Sequence, residues 1–245
     1  MPTWNVAAAQ YAPRPDDVAA NVSHHLSFIA TAAREQIDVL LFPEFSLTGF
    51  HSPDSCLVSP DSLLFTPISL AAQRHKMMII AGLSLPAPGG MISAGLIFLP
   101  DGTRQLCLQN TAQDIDEISG LPVLQDKIIG TGSQRIALAV NRSQPADLWA
   151  QKEASLYMCG RFISELSWTA EVVDMQYCAF ENHIAVLQVN HAIAPDNQTA
   201  VGRSACWDEQ GQLIVRAEAG ELLVVARRKD NGWHGEVIPL RWRFG

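Results

Sequence analysis

The chain has 245 residues, a net charge of −8, 48% hydrophobic and 17% charged residues, which fits a single globular domain spanning 1–245 and excludes a disordered chain. Its basic residues are scattered apart from Arg227-Arg228-Lys229, so neither nucleic acid nor an anionic membrane is expected as a partner. No apolar run approaches the ~20 residues of a membrane span, Met1-Pro2-Thr3-Trp4-Asn5 lacks the features of a secretory signal, and Cys56, Cys107, Cys159, Cys178 and Cys206 form no C-x-x-C pair, so reduced thiols in a cytoplasmic protein, with no metal or cofactor, are expected.

In chain order, Asn5 to Gln10 reads as a short apolar strand, and Asp16 or Asp17 caps a helix with apolar residues at Val18, Val22, Leu26, Ile29 and Ala33. His24 and His25 lie on that helix as packed or surface residues rather than ligands. Val39 to Phe42 is a buried strand that Pro43 ends, because proline cannot donate to a sheet ladder. Glu44 follows at once between apolar neighbours. It is either a capping or solvent-facing acid, or a carboxylate at a strand's carboxyl end, where layered α/β proteins place their ligands. His51 to Leu64 reads as a loop, and Thr66-Pro67 as a cap and first helical position opening a helix to about His75.

Met77 to Leu83 is a strand and Ala87 to Gly90 a turn. Ala94 to Leu99 and Arg104 to Gln109 flank Pro100-Asp101-Gly102-Thr103 as a hairpin. Thr111 to Gly132 is polar and irregular, and its acids Asp114, Asp116 and Glu117 read as a solvated loop. Arg135 to Val140 is a strand ending at Asn141. A short helix over Pro145 to Lys152 follows, then a strand over Ala154 to Met158 and a longer helix outlined by Ile163, Leu166, Ala170, Val173, Tyr177 and Phe180, with Trp168 and Phe180 in the core. His183 to Val189, Ala205 to Trp207, Leu213 to Arg216 and Leu222 to Ala226 are the last strands. Alternating helices and strands of this kind make a layered α/β protein.

Several of these stretches, in order, resemble the carbon–nitrogen hydrolase (nitrilase) superfamily: Val39 to Phe42 running into Pro43-Glu44 and Leu47-Thr48-Gly49-Phe50; Ile79 to Leu83; Gly95 to Gly102; Ala179-Phe180-Glu181-Asn182-His183; Val189-Asn190; and Gly202-Arg203-Ser204 with Asp208 to Gly211. The resemblance implies a four-layer αββα sandwich and a Glu, Lys and Cys that hydrolyse an amide or nitrile through a covalent intermediate that water resolves. Carried over residue by residue, Glu44 holds the general-base position. The resemblance places the Lys position, a little after the Asp101-Gly102 hairpin, at or next to Asn110; no Lys or Arg occurs between Arg104 and Lys127. The Cys position, ending the next apolar strand, falls on Asn141.

A carboxamide has no thiolate and no positive charge, so an inactive chain is expected, with Asn110 and Asn141 donating hydrogen bonds to Glu44 and a small amide or carboxylate as the ligand the resemblance implies. A rival placement uses Glu44 with Lys127 and Cys159, followed by Gly160-Arg161-Phe162, as a working amidase. Against it, Lys127 lies far beyond the hairpin and Cys159 close before Glu181. Glu181 is either a second acid near the pocket or a brace at its helix end. The residue before Ala179 is Cys178, where the family often has Arg. By resemblance a homodimer through the Ile163 to Phe180 helix is expected, and the tail Trp242-Arg243-Phe244-Gly245 is left open as a docking segment.

Overall fold

The computed structural model describes residues 3–49, 58–87, 90–108, 120–124, 127–131, 134–140, 154–193 and 202–240. The elements in order are β1 (Trp4–Gln10), α1 (Val18–Arg34), β2 (Val39–Leu41), a 3-10 turn (Leu63–Phe65) leading into α2 (Thr66–His75), β3 (Met78–Ala87), β4 (Gly90–Phe98), β5 (Arg104–Leu108), β6 (Ile128–Thr131), β7 (Gln134–Val140), β8 (Leu156–Gly160), α3 (Trp168–Asn182), β9 (Ala185–Val189), β10 (Ala205–Trp207), β11 (Leu213–Arg216), β12 (Leu222–Lys229) and β13 (Gly232–Pro239).

They build two sheets, one ordered β13-β12-β1-β2-β3-β4-β5 and the other β11-β10-β9-β8-β7-β6. The side-chain period of two sorts each strand's residues between layers. On β1, Ala7 and Ala9 face the helices α1 and α2, while Val6 and Ala8 face the second sheet. On β8, Leu156 and Met158 face the first sheet, while Tyr157 and Cys159 face α3. Three apolar interfaces result: helices on sheet, sheet on sheet, and sheet on helix. That is the four-layer αββα sandwich the resemblance implied.

Local expectations hold at several places. Asp17 caps α1, its carboxylate accepting from the Ala20 N–H (2.9 Å). β4 and β5 pair as the expected hairpin, and Ala87 pairs with Gly90 across the end of the β3–β4 hairpin. Others are corrected. Thr66 is not a cap but sits inside α2, because a preceding 3-10 turn capped by Ser62 carries the chain into the helix. β6 forms within the stretch read as irregular, where Ile128 and Ile129 pair with β7. β13 adds an edge strand beyond the last one expected. Its mostly exposed, mixed composition hides the alternation, and pairing with β12 makes it.

The later helix starts at Trp168, not Ile163, because residues 161–163 first cross from β8 under the end of β9, where the Arg161 N–H donates to the Val189 carbonyl (3.1 Å). Phe180 is exposed rather than core, and Trp168 is half-buried beneath the Arg203 guanidinium. Asn110, Asn141, the acids at 114–117, the helix expected over 145–152, Cys56 and the tail 242–245 lie outside the described residues. The four described cysteines are buried free thiols, and no described helix is long and apolar enough to cross a membrane.

Candidate functional site

The site is assembled where β2 ends. Phe42 continues the parallel pairing by donating to the Ile80 carbonyl (2.8 Å), and Pro43 then stops it. The chain folds back as a tight turn in which Phe45 takes φ +55°. Here the spacing Ser46-Leu47-Thr48 has a structural cause. The Ser46 hydroxyl accepts from the Gly82 N–H (3.0 Å) and the Thr48 hydroxyl from the Ser84 N–H (3.3 Å), while Leu47 donates its own N–H to the Gly82 carbonyl (2.8 Å). Two side-chain oxygens thus stand in for the backbone acceptors a further strand would have offered β3.

Only glycine fits opposite: a Cβ on Gly82 would lie 2.4 Å from the Phe45 nitrogen and 2.5 Å from the Glu44 Cα. Helix α1 locks the turn from outside. The Asn21 carbonyl can only accept, so His25 Nδ1 carries the proton toward it (2.7 Å), and His25 Nε2 accepts from the Ser46 hydroxyl (3.1 Å). The histidines are packed residues, as expected: His24 and His25 are both buried.

This turn delivers Glu44 into the space between the sheets, 7% exposed. Its Oε1 accepts from the Phe162 N–H (2.8 Å), and its Oε2 has no hydrogen-bond partner among the described residues. Burial pushes its carboxyl above the usual range, opposed by the Phe162 amide, the Arg161 guanidinium and the Ser93 hydroxyl. Leu41, Phe42, Glu44, Gly82, Gly95 and Gly160 line a cavity of about 20 Å³ there.

The loop that supplies Phe162 is held by Asn190, which accepts from the Ile163 N–H (3.0 Å) and donates to the Ile163 and Gly202 carbonyls (2.9 Å each). Gln10 in turn accepts from the Ser204 N–H (2.9 Å). Val189-Asn190 and Gly202-Arg203-Ser204 are therefore positioning devices for the residues around Glu44.

Cys159 does not face this site. β8 runs on to Gly160, and the period of two turns Cys159 outward beneath α3, its Sγ 3.7 Å from Met175 Sδ. The neighbouring Gly160 packs against the main chain of Phe42 and Glu44 instead. Burial pushes the Cys159 thiol up, away from a reactive thiolate. Lys127 is buried within electrostatic reach of Cys107 rather than Cys159. Cys107 lies between the sheets on β5, its thiol pushed up to about 12 by burial. The rival grouping of Glu44, Lys127 and Cys159 is thus not brought together. Glu181 is exposed near the end of α3, in the outer layer and away from the pocket.

The buried acid that sequence reading missed is Glu171, whose Oε2 lies 2.6 Å from Arg161 Nη1. An Arg immediately before a site residue and an acid in a helix's first turn were visible in the sequence, but nothing there paired them.

Two buried imidazoles give the fold a pH signature. Burial pushes His25 and His191 down to about 3, so both fold neutral while the unfolded chain takes up their protons near 6.5. Stability is expected to fall as pH drops below about 6.5 toward about 3, by up to ~1.4 kcal/mol per pH unit for each histidine. Glu44 opposes this, because acid relieves the cost of its buried charge. The expected net result is a lower urea midpoint at about pH 5 than at about pH 7. An unchanged or higher midpoint would show that the imidazoles fold charged.

Two facing sheets wrapped by helices, with a buried acid on the turn after a central strand, define a nitrilase-type sandwich. The sequence profile of the carbon-nitrogen hydrolase family matches residues 5–113. Solved structures share the fold across nearly the whole chain. The NitN amidase of Nesterenkonia sp. AN1 is 18% identical over 93% of this chain and 94% of its own, with a TM-score of 0.74. XC1258 of Xanthomonas campestris, a CN-hydrolase superfamily protein with an arsenic adduct in its active site, is 19% identical over 94% and 92%, with a TM-score of 0.74. Nit3 of Saccharomyces cerevisiae, from branch 10 of the nitrilase superfamily, is 18% identical over 94% and 91%, with a TM-score of 0.73. At these identities the likeness is one of fold.

Proposed function

We propose that this chain is a carbon-nitrogen hydrolase-family protein that does not hydrolyse amides or nitriles, and that it keeps the pocket at Glu44 for binding a small molecule or for a structural role. Asn110 and Asn141 occupy the positions where the family's Lys and Cys are expected. A carboxamide supplies neither a nucleophilic sulfur nor a transition-state cation. The observation that carries this reading is the direction of Cys159: the thiol next to the pocket in sequence is turned under α3 and held protonated by burial. Glu44 alone would activate a water without the covalent route.

The expected result is no ammonia release from simple amides, N-carbamoyl compounds or nitriles, and a gain of iodoacetamide reactivity in Asn141→Cys. Turnover that Cys159→Ala abolishes would overturn the proposal.

Burial of its described thiols in the reduced state supports a cytoplasmic setting. We also propose that two copies pair through α3. Val173, Tyr177 and Phe180, at steps of four and three along that helix, are each more than half exposed. A light-scattering mass of a single 26.8 kDa chain would remove the dimer.

A further inference from the structure

We propose that the Arg161–Glu171 pair is a positioning device for the pocket at Glu44: Glu171 on α3 holds the Arg161 side chain so that the next amide, that of Phe162, stays aimed at the Glu44 carboxylate. This rests on the reading that the chain keeps that pocket.

Arg161 stands where β8 runs out, between the outer helix and the acid. Its own N–H donates to the Val189 carbonyl at the end of β9 (3.1 Å). Its guanidinium donates to Glu171 Oε2 (2.6 Å) and to the Tyr157 hydroxyl (3.4 Å) beneath α3. One residue on, the Phe162 N–H donates to Glu44 Oε1 (2.8 Å). Tying a residue's nitrogen and its side chain fixes the direction of its Cα–C bond, because the Cα is tetrahedral. Only rotation about that bond is then left to turn the next, planar peptide. Asn190 removes this freedom from the other side, accepting from the Ile163 N–H (3.0 Å) and donating to the Ile163 carbonyl (2.9 Å). Phe162 is thus gripped by a tether on either side, and the ion pair is the one that precedes it.

The amide so placed matters to the acid. Burial pushes the Glu44 carboxyl up, and the Phe162 amide is the largest of the groups that oppose it, ahead of the Arg161 guanidinium itself. A hydrogen bond of this kind holds only within narrow limits of distance and angle, so a small turn of the peptide forfeits it. The choice of an ion pair for the tether follows from that need. Two apolar side chains of the same volume would fill the space at less desolvation cost, but contact between them has no direction. A guanidinium bonded to a carboxylate does. The Arg161 and Glu171 side chains are largely buried, and they bear that cost where β8, α3 and the Glu44 turn converge. Gly160, the residue before Arg161, packs against the main chain of Phe42 and Glu44.

The test is a pH titration of the intact chain by NMR, with 15N-phenylalanine and carboxyl-13C-glutamate as labels. Phe162→Leu and Glu44→Gln assign the two signals. In the unsubstituted protein the Phe162 amide shift is expected to follow the Glu44 carboxyl, and Glu44→Gln to abolish that dependence. In Glu171→Ala the dependence is expected to be lost and the Glu44 carboxyl to titrate at higher pH. Charge alone predicts the opposite sign, because removing an anion beside a guanidinium favours the ionised carboxylate. Arg161→Met with Glu171→Leu removes both charges and keeps the volume, so it decides the matter if Glu171→Ala does not fold. It too is expected to lose the Phe162 dependence while its urea midpoint recovers, whereas a pair with a purely structural role would restore both together. An unsubstituted-like Phe162 signal in the double variant, or a Glu44 titration that stays or falls in Glu171→Ala, would overturn the positioning role. Ammonia release is assayed on the unsubstituted preparation. Turnover there would overturn the inactive reading and not the tether, and an unchanged Phe162 signal in a silent protein would overturn the tether alone.

Discussion

Glu171→Ala is expected to destabilise the protein by about 3–5 kcal/mol, because it strands a buried guanidinium. The Arg161 and Glu171 side chains are 12% and 5% exposed, and their 2.6 Å contact links the end of β8 to the first turn of α3. Arg161 Nε already lacks a partner among the described residues, so losing the carboxylate leaves little to compensate the charge. Glu171 also lies near the helix N-terminus, where a negative charge is favoured by the backbone dipoles.

The pair need not be worth its own cost. Replacing both partners with apolar residues of similar volume, as in Arg161→Met with Glu171→Leu, is expected to recover most of the loss. Equilibrium urea unfolding measures all three proteins. A single-variant cost below about 1 kcal/mol would mean that the pair is solvated and contributes as a surface ion pair does.

Gly82→Ala is the second large effect, and it acts on the turn that carries Glu44. The added methyl would stand 2.4 Å from the Phe45 nitrogen and 2.5 Å from both the Glu44 Cα and the Pro43 carbonyl oxygen. All three are backbone atoms, so no rotamer change relieves the clash. Either β3 or the turn after β2 must move, which breaks the Ser46 and Thr48 hydrogen bonds that tie them. A cost of about 3 kcal/mol or more is expected, at the upper end of what overpacking does, with loss of the Phe162–Glu44 hydrogen bond. Gly95→Ala, on the neighbouring strand, whose added methyl meets nothing nearer than the Val140 side chain at 3.3 Å, is the comparison. If Gly82→Ala is no more damaging than that, the close approach is not as tight as the geometry says.

Much of the site was legible before any coordinates. The apolar run, Pro43 and Glu44 announced an acid at a strand's carboxyl end, because proline's missing N–H ends the ladder in any context. The later motifs, which resemblance alone had singled out, support that acid physically: Asn190 holds the loop that hydrogen-bonds it, and Ser204 in turn accepts from the Asn190 N–H. The direction of Cys159 was not legible. With the strand ending at Met158 the thiol stood free beyond it; with the strand running to Gly160, the period of two pointed it beneath α3. Leu156 to Gly160 is buried on both faces, and a strand buried on both faces carries no polar alternation to say which side meets which layer.

The sequence by itself determined the layered architecture, the placement of Glu44 on its turn and the absence of a Lys or Arg between Arg104 and Lys127, since periodicity, proline and residue identity are local properties of the chain. Only the tertiary structure decided that Gly82 had to be glycine, that Arg161 pairs with Glu171, that Phe180 faces outward and that Cys159 turns away from the acid. Each depends on the approach of segments far apart in sequence, and that approach is set by how the described sheets and helices pack, not by any single stretch.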